Sequence, residues 1–393
     1  MKQRYVVLRD LSIDAPITRG PVRAGIKALP QAGVSVESVM VDRREVDDLL
    51  REKNVTAVVP AIRMRLIEPL GGPVKRVKQD PVTWGVKAVG ADTSPCDGRG
   101  IRVAVLDTGI NKSHPAFDGV RNFTVRDFTG EGEEDKNGHG THCAGTIFGR
   151  AVKGVRIGVA PGITDVLIGK VLGKFGCTSD EMANAVLWAA ENNAHIISMS
   201  LGMDFPGHVK SLVKEQKMQI ELATSRALED YRANVLLFER LASMLRVRAN
   251  APLLIAAAGN ESRRELDPSF EIAVSPPAVS EGFVSVGAVG QGPKGWRIAN
   301  FSNVGATVCG PGEDVVSADL KQGLVSMSGT SMAAPHVAGV AALWAQRAVA
   351  ERQVVSATLH GRLTGRAVTD QLEPGYNPLA VGHGMVWAPQ KGR

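Results

Sequence analysis

The sequence predicts a doubly wound α/β fold with a mostly parallel sheet, preceded by a small N-terminal α/β module. From about Asp80 onward, short continuous runs of Val, Ile, Leu and Ala alternate with helical segments. Such runs are typical of parallel strands that helices cover on both faces. Before that point, a separate group of short β-rich runs surrounds a helix with its own start signal. Together these two patterns predict one large domain and one small one.

The composition of the 393-residue chain fits this prediction and excludes several other classes. Hydrophobic residues make up 44% and charged residues 22%, which excludes collagen, coiled-coil and disordered chains. The longest apolar run, Pro252 to Ala258, is much shorter than the roughly 18 to 20 residues that a membrane span requires. We therefore expect no membrane partner. The four cysteines fit neither a disulfide framework nor a CxxC zinc site.

The net charge of +6 is concentrated in the N-terminal segment. Residues 1 to 80 contain 15 Lys and Arg against 10 Asp and Glu, so this segment carries +5 and the rest of the chain +1. The signs alternate and Tyr5 is its one aromatic residue, which is not the pattern of a nucleic-acid binder. We expect no nucleic-acid partner. The apolar stretch within Met1 to Leu8 is too short for a secretory signal, so we expect a cytoplasmic protein, or one exported by a non-standard route.

The small N-terminal module is predicted over residues 1–75. Its expected strands are Arg4 to Arg9, Val34 to Val41 and Val55 to Leu66. Asp42, with Glu45 three positions later, forms a capping-box pattern that predicts the start of a helix. A Gly- and Pro-rich stretch followed by charged residues predicts an exposed linker over 76–83, and the large domain then occupies 84–393.

The large domain is expected to carry its functional groups beyond the carboxyl ends of its strands, as doubly wound sheets do. The predicted strands are Ile101 to Leu106, Asp165 to Val171, Ile196 to Met199, Leu253 to Ala257 and Gly282 to Val289. Asp107 directly follows the first of these strands, and Asn260 follows the fourth after two small residues. Each of the two, taken alone, also fits an ordinary turn.

Two further segments carry groups suited to catalysis. His139 lies among small residues, so its ring can be approached closely. Ser331 opens an apolar helix, where unpaired N–H groups and the helix dipole favour a developing negative charge. Alternatively, Ser331 is a plain N-cap, and His139 binds a metal together with His142. The metal alternative lacks both the spacing of four and the Glu of the metalloprotease motif.

In this order and in these Gly-rich contexts, the Asp, His, Asn and Ser resemble the subtilisin-like serine peptidases, peptidase family S8. The similarity extends from about Trp84 to Gly382-His383-Gly384, and Cys143 is similar to the proteinase K branch. The matching stretches are Ala104 to Ile110 with Ser113-His114-Pro115, Gly138 to Gly145, Ser198 to Gly202, Ala256 to Asn260, and Gly329 to His336. The resemblance implies a subtilisin-like fold and a serine endopeptidase.

The resemblance also implies a role for each of the four residues. Ser331 would be the nucleophile, His139 the general base, and Asp107 the carboxylate that orients the imidazole. Asn260, together with the Ser331 N–H, would form the oxyanion hole.

Substrate and regulation are implied in the same way. Peptide or protein substrates would bind in extended form along the strand Ser200-Leu201-Gly202. Residues 1–75 would be an inhibitory propeptide, acting as an intramolecular inhibitor until the enzyme's own Ser331 cuts its tail in the cleft. Because this module carries a separate charge of +5, we expect its release to be sensitive to salt or pH.

The chain departs from the family pattern in two places. Ala116 follows Ser113-His114-Pro115 where the family often has an acidic calcium ligand, and Arg150 to Ile157 lacks an evident ion loop. We therefore expect no metal among the site residues and no cofactor in the chemistry, and the expected ligand positions do not support a structural calcium. The stretch 203–251 is longer than usual, and its apolar spacing predicts one or two amphipathic helices. These would either pack on the flank of the domain or form a rim over the substrate cleft.

Two other functions are compatible with parts of the sequence. Asp107-Thr108-Gly109 is also the signature of aspartic peptidases, which need two carboxylates, so a single copy would require a homodimer. A pseudoenzyme that binds peptides without cleaving them would need a degraded triad, and none of the motif residues is replaced. The sequence therefore favours the serine endopeptidase.

Overall fold

The structure is a computed structural model that describes residues 2–12, 33–70, 80–351 and 356–391. The first part of the chain comprises strands β1 (Gln3–Asp10) and β2 (Val34–Val41), helix α1 (Arg43–Leu50) and strand β3 (Val55–Pro60). The strands form an antiparallel sheet in the order β2-β1-β3. Of the predicted linker 76–83, residues 76–79 lie outside the described part of the chain.

Helix α1 begins with the predicted capping box. The Asp42 carboxylate accepts hydrogen bonds from the backbone N–H groups of Arg44 and Glu45, and the Glu45 carboxylate accepts one from the Asp42 N–H at 2.7 Å. These bonds satisfy N–H groups that the first helical turn leaves without partners.

The run Val55 to Leu66, predicted as one strand, is in fact two. Strand β3 ends at Pro60, and strand β4 (Arg63–Leu66) leaves the N-terminal sheet. Pro60 has no N–H to donate, and the Ala61 N–H after it still donates to the backbone oxygen of Arg4 at 3.0 Å before the chain turns away. The prediction of a single strand was therefore wrong, and β4 is free to pair with another part of the chain.

The remaining elements mix strands and helices as far as Arg246, after which six successive strands precede the last three helices. In chain order they are α2 (Trp84–Ala88), β5 (Arg102–Asp107), β6 (Asn122–Asp127), α3 (His139–Phe148), β7 (Asp165–Lys170), β8 (Cys177–Thr178), α4 (Ser179–Glu191), β9 (Ile196–Met199), β10 (Leu201–Met203), α5 (Phe205–Glu215), α6 (Ile220–Arg246), β11 (Leu253–Ala257), β12 (Phe283–Gly292), β13 (Gly295–Ile298), β14 (Val308–Pro311), β15 (Val315–Ala318), β16 (Leu324–Met327), α7 (Thr330–Ala350), α8 (Ser356–Gly365) and α9 (Pro378–Val381).

An eight-stranded sheet forms the centre of the large domain. Its order is β13-β12-β11-β9-β5-β7-β6, and β14 pairs with β12. Every pairing in it is parallel except that of β12 with β13. The prediction of a mostly parallel sheet is confirmed.

Helices cover both faces of this sheet. Val103 and Val105 of β5 pack into a core that contains residues of α3 and α7, whereas Ala104 and Leu106 pack into a second core with α4 and α6. Successive side chains of a strand point to opposite faces, so a continuous apolar run such as β5 is what a sheet between two helical layers requires. The doubly wound α/β fold is therefore confirmed.

The stretch 203–251 contains the two helices α5 and α6. They pack on each other through a small cluster that includes Leu212, Ala223 and Ala227. The longer helix, α6, also contributes Leu237 and Phe238 to the second core of the large domain. The expectation that this stretch is helical is met.

The N-terminal sheet packs against α4 and α6. Val6, Leu8 and Val59 belong to the same core cluster as the inner residues of these two helices. Hydrogen bonds add to this apolar contact, since Asp180 of α4 accepts hydrogen bonds from Arg4 and Ser38. No helix in the described ranges combines the length and apolar character that crossing a membrane requires.

Candidate active site

The four residues singled out in the sequence lie at one edge of the sheet. Asp107 is the last residue of β5, and Asn260 follows the end of β11. His139 is the first residue of α3, and Ser331 is the second residue of α7. Strands β5 and β11 both run parallel to β9, which lies between them, so their carboxyl ends lie at the same edge.

Asp107 and His139 form a buried pair. Asp107 Oδ1 lies 2.8 Å from His139 Nδ1 and also accepts a hydrogen bond from the Thr108 N–H at 2.7 Å. Burial lowers the pKa of His139, but Asp107 and Cys143 together outweigh it and raise the pKa well above its ordinary value. His139 Nε2 is buried and has no hydrogen-bond partner. This second ring nitrogen is therefore unoccupied.

Cys143 connects His139 to Ser331. Its Sγ lies 3.7 Å from His139 Nδ1, 3.3 Å from the backbone oxygen of Ser331 and 3.8 Å from Ser200 Oγ. Burial raises the pKa of this thiol, so it is neutral near pH 7. Because one thiol contacts both, the helix starts that carry His139 and Ser331 adjoin one another.

The described residues contain one group with the composition of a metal site, formed by Asp107, His139 and Cys143. Their potential ligand atoms lie within 4.8 Å of one another. Since His139 and Asp107 are hydrogen-bonded to each other, an ion there would have to displace that bond. The structure does not support the alternative pairing of His139 with His142, because His142 Nε2 lies 3.0 Å from the backbone oxygen of Val315.

The side-chain amide of Asn260 has one determined orientation. Asn260 Oδ1 accepts hydrogen bonds from both the N–H and the hydroxyl of Thr330, each at 2.9 Å. A backbone N–H can only donate, so the amide oxygen must face Thr330. The Asn260 NH₂ group then points the other way, where it donates to the backbone oxygen of Glu68 at 2.9 Å. Sequence reasoning did not identify Thr330, although it directly precedes Ser331.

Asp135 is a second residue that sequence reasoning missed. Its carboxylate accepts hydrogen bonds from the hydroxyls of Thr108 at 2.9 Å and Thr141 at 2.6 Å, and from the Gly138 N–H at 2.8 Å. Burial raises the pKa of Asp135, but these donors outweigh it and leave the pKa below its usual value. Asp135 thus connects the turn after Asp107 to the start of the His139 helix. The one feature of the sequence that marks Asp135 is its position two residues before Asn-Gly, and this pattern predicts only a turn.

A segment of the N-terminal region occupies the cleft beside these residues. Strand β4 lies between β10 and β8 and pairs antiparallel with both. Beyond it, the Ile67 N–H donates to the backbone oxygen of Ser200 at 3.4 Å, and Leu70 forms an antiparallel bridge with Ser328. The predicted substrate strand Ser200-Leu201-Gly202 therefore pairs with an extended segment of this same chain.

Two successive carbonyl groups of this segment meet the site. Ser331 Oγ donates to the backbone oxygen of Ile67 at 2.9 Å, while the Asn260 amide donates to that of Glu68. The Ser331 hydroxyl and the Asn260 amide thus contact two different carbonyl groups of the segment.

The surroundings of Asp107 also decide against an aspartic peptidase. Asp107 is 1% exposed, and its partner is an imidazole instead of a second carboxylate. A buried carboxylate cannot meet its copy across a dimer interface. This reading of Asp107-Thr108-Gly109 is therefore wrong.

A parallel sheet with Asp, His, Asn and Ser gathered at its carboxyl edge defines a class of serine hydrolases. The model of the subtilase family matches residues 98–383, and the chain belongs to this family of subtilisin-like serine proteases. The chain is similar to the "Intracellular serine protease" of Paenibacillus polymyxa, with 34% identity over 299 residues, which cover 74% of this chain and 79% of the relative. It is also similar to the "Thermostable alkaline protease" of Halalkalibacterium halodurans, with 36% identity over 294 residues and 69% of each chain. "Subtilisin Savinase" of Lederbergia lenta is 34% identical over 274 residues, or 68% of this chain and 85% of the relative.

The pairing of Asp107 with His139 depends on a close backbone approach, which gives a testable prediction. A Cβ on Gly140 would lie 2.2 Å from the backbone oxygen of Gly109, itself at a φ of +110°. Gly140→Ala is therefore expected to lower the free energy of unfolding by about 1–3 kcal/mol, the scale of an overpacked core. Thermal unfolding followed by circular dichroism measures the change.

The matched control is Gly361→Ala, in α8. A Cβ there meets nothing within 4 Å, so the substitution should leave stability unchanged or raise it by up to about 1 kcal/mol. Equal melting temperatures for Gly140→Ala and the wild type would contradict the proposed contact.

Proposed function

We propose that this chain is a serine endopeptidase that hydrolyses peptide bonds through an acyl-enzyme. In this proposal Ser331 is the nucleophile, His139 the general base and Asp107 the carboxylate that orients it. Asn260 and the Ser331 N–H form the oxyanion hole. The observation that carries the proposal is the peptide segment in the cleft, whose carbonyl groups meet the Ser331 hydroxyl and the Asn260 amide.

The Asp107–His139 pair supports the assignment of the base. Because Asp107 binds Nδ1–H, the free Nε2 is the nitrogen that would take the proton of the Ser331 hydroxyl. A raised pKa of His139 means that Asp107 favours the imidazolium that forms when the proton arrives. The imidazolium would then give this proton to the leaving amine.

The position of Ser331 supports the rest of the proposal. It lies in the first turn of the 21-residue helix α7, where N–H groups without intrahelical partners and the positive end of the dipole stabilise negative charge. The Asn260 amide, held by Thr330, supplies a second donor. After attack, the tetrahedral oxyanion would lie between these donors. Collapse to the acyl-enzyme releases the amine, and water then completes the hydrolysis.

We propose further that the chain is a self-processed precursor in which residues 1–75 act as an intramolecular inhibitor. Two observations support inhibition. The nucleophile and the oxyanion donor are divided between Ile67 and Glu68, and the next residue is Pro69, which fixes its own φ and restricts that of Glu68. Cleavage then requires a shift of the segment that brings one carbonyl onto both groups.

The first test concerns the nucleophile. Ser331→Ala is expected to abolish labelling by a fluorophosphonate and to leave the chain at its full mass, whereas the wild type is labelled and shortened. Intact mass spectrometry and gel detection of the label measure both effects. The control is Ser328→Ala, since the Ser328 hydroxyl only accepts a hydrogen bond from the Asp314 N–H. A labelled Ser331→Ala protein would overturn the assignment.

The second test concerns the oxyanion hole. Asn260→Ala is expected to lower kcat of the processed enzyme by about 10²–10³-fold with little change in KM, a magnitude known from subtilisin. Thr330→Val should reduce kcat less, because the Thr330 N–H still holds Asn260 Oδ1. Steady-state kinetics on a fluorogenic peptide distinguish the two variants. A change in KM alone would contradict the role of Asn260.

The third test concerns release of the N-terminal module. Arg4 pairs with Asp180 and Glu181 of the large domain, and such charge pairs weaken as salt screens them. Inhibition of the processed enzyme by added residues 1–75 should therefore weaken as the salt concentration rises, and Arg4→Gln should reduce this dependence.

The control for the third test is Arg51→Gln, which makes the same change of charge. The ion-pair partner of Arg51 is Asp48, which lies in the same module, so this pair does not join the module to the large domain. An inhibition constant that is the same at low and high salt would rule out an electrostatic contribution to docking.

A further inference from the structure

Asp204 lies where the substrate strand ends and the helical stretch begins. It directly follows β10 and is the N-cap of α5. Its Oδ1 accepts a hydrogen bond from the Gly207 N–H at 2.9 Å, and its backbone oxygen accepts one from the His208 N–H at 2.9 Å. Capping thus fixes the direction of the carboxylate before any ligand arrives.

The second oxygen of this carboxylate holds a side chain of the bound segment. Arg65 Nη1 donates to Asp204 Oδ2 at 2.9 Å. Arg65 lies opposite Gly202 in the ladder between β4 and β10, and Leu66 lies opposite Leu201. If Ile67, whose carbonyl meets Ser331, is counted as the first position, Leu66 is the second and Arg65 the third.

The second position lies beside several lysines. Leu66 borders a cavity of about 690 Å³ that is lined on the enzyme side by Lys136, Lys170 and Lys174, with Glu131 as the acid. Arg65 also lines this cavity, but its guanidinium group bonds to Asp204. A basic residue at the third position therefore reaches a carboxylate, whereas one at the second position would lie near the lysines.

We propose that Asp204 is a specificity-determining residue that selects peptides with Arg or Lys at the third position. Arg65 is then the intramolecular occupant of this subsite. The inference rests on the proposed function, because it takes the bound segment as a guide to where substrates bind. It gives the stretch 203–251 a part in substrate selection, since Asp204 is the N-cap of α5.

The expected effect is moderate because the pair is partly exposed. The side chain of Arg65 is 56% exposed and that of Asp204 is 35% exposed. Exposed ion pairs change equilibria by about two- to fivefold, and salt reduces their effect. The preference should therefore be of this size at low salt and should decline at high salt.

The experiment uses the processed enzyme and fluorogenic peptides that end in Met-Arg-Leu-Ile, Met-Gln-Leu-Ile or Met-Glu-Leu-Ile before the cleaved bond. We expect kcat/KM to fall in the order Arg, Gln, Glu, with Arg exceeding Gln by about two- to fivefold. A fourth peptide, Met-Leu-Arg-Ile, moves the Arg to the second position, where it should give no advantage over Gln in Met-Leu-Gln-Ile.

Asp204→Asn is the decisive variant. Asn caps a helix about as well as Asp does, so α5 should persist while the charge is lost. We expect equal kcat/KM for the Arg and Gln peptides in this variant. The control for net charge is Asp370→Asn, an exposed residue between α8 and α9, which should keep the wild-type order. An Arg preference that survives in Asp204→Asn, or is missing in the wild type, overturns the inference.

A second measurement uses the full-length chain. Arg65→Gln and Asp204→Asn should each raise the peptidase activity of the unprocessed chain, and the double variant should add little, as expected for two residues that act through one contact. Additive effects would contradict the pairing. Failure of the proposed function is distinguishable, because then the wild type cleaves none of the peptides, whatever residue stands at the third position.

Discussion

The site depends on one hydrogen bond, between Asp107 at the end of a buried strand and His139 at the start of a helix. Neither group has access to water, since Asp107 is 1% and His139 0% exposed. A buried carboxylate without a partner would be strongly destabilising, so each group makes the burial of the other tolerable. The bond also determines which nitrogen of the imidazole is left for Ser331.

Several features that look merely structural serve to hold this pair. Asp135 connects the two loops through the hydroxyls of Thr108 and Thr141, and hydrogen bonds to a charged group contribute about 1.5–3 kcal/mol each. Gly140 permits the backbone of α3 to approach that of Gly109. The geometry of the Asp107–His139 pair thus depends on residues outside the pair.

The sequence was sufficient for the fold class and for naming four residues that the structure brings to one edge of the sheet, and the reason is local. The continuous apolar run before Asp107 and the helix start at Ser331 are each encoded within about ten residues. What could not be predicted depends on distant pairing. Nothing near Arg63 indicates that this strand leaves the N-terminal sheet for β10, and nothing near Thr330 indicates that it orients Asn260. The residues around Asp135 have the pattern of a turn, and its partner Thr108 lies 27 positions away in the sequence.

The stretch 203–251 contacts the N-terminal region at two places. Helix α6 packs against the N-terminal sheet and donates a hydrogen bond from Asn234 to the backbone oxygen of Pro60 at 3.0 Å. From Pro60 the chain needs only Ala61 and Ile62 to enter β4. At the other end of the same stretch, Asp204 holds Arg65 within β4.

Anchoring the segment on both sides of this short connection limits how far it can slide along β10. A slide by a whole residue would again place two successive carbonyls at Ser331 and Asn260, so bringing one carbonyl to both groups requires a local shift of the segment. Any slide along β10 would also separate Arg65 from Asp204. Under the proposed function, selection of a basic side chain and restraint of the inhibitor are therefore two consequences of the same contact.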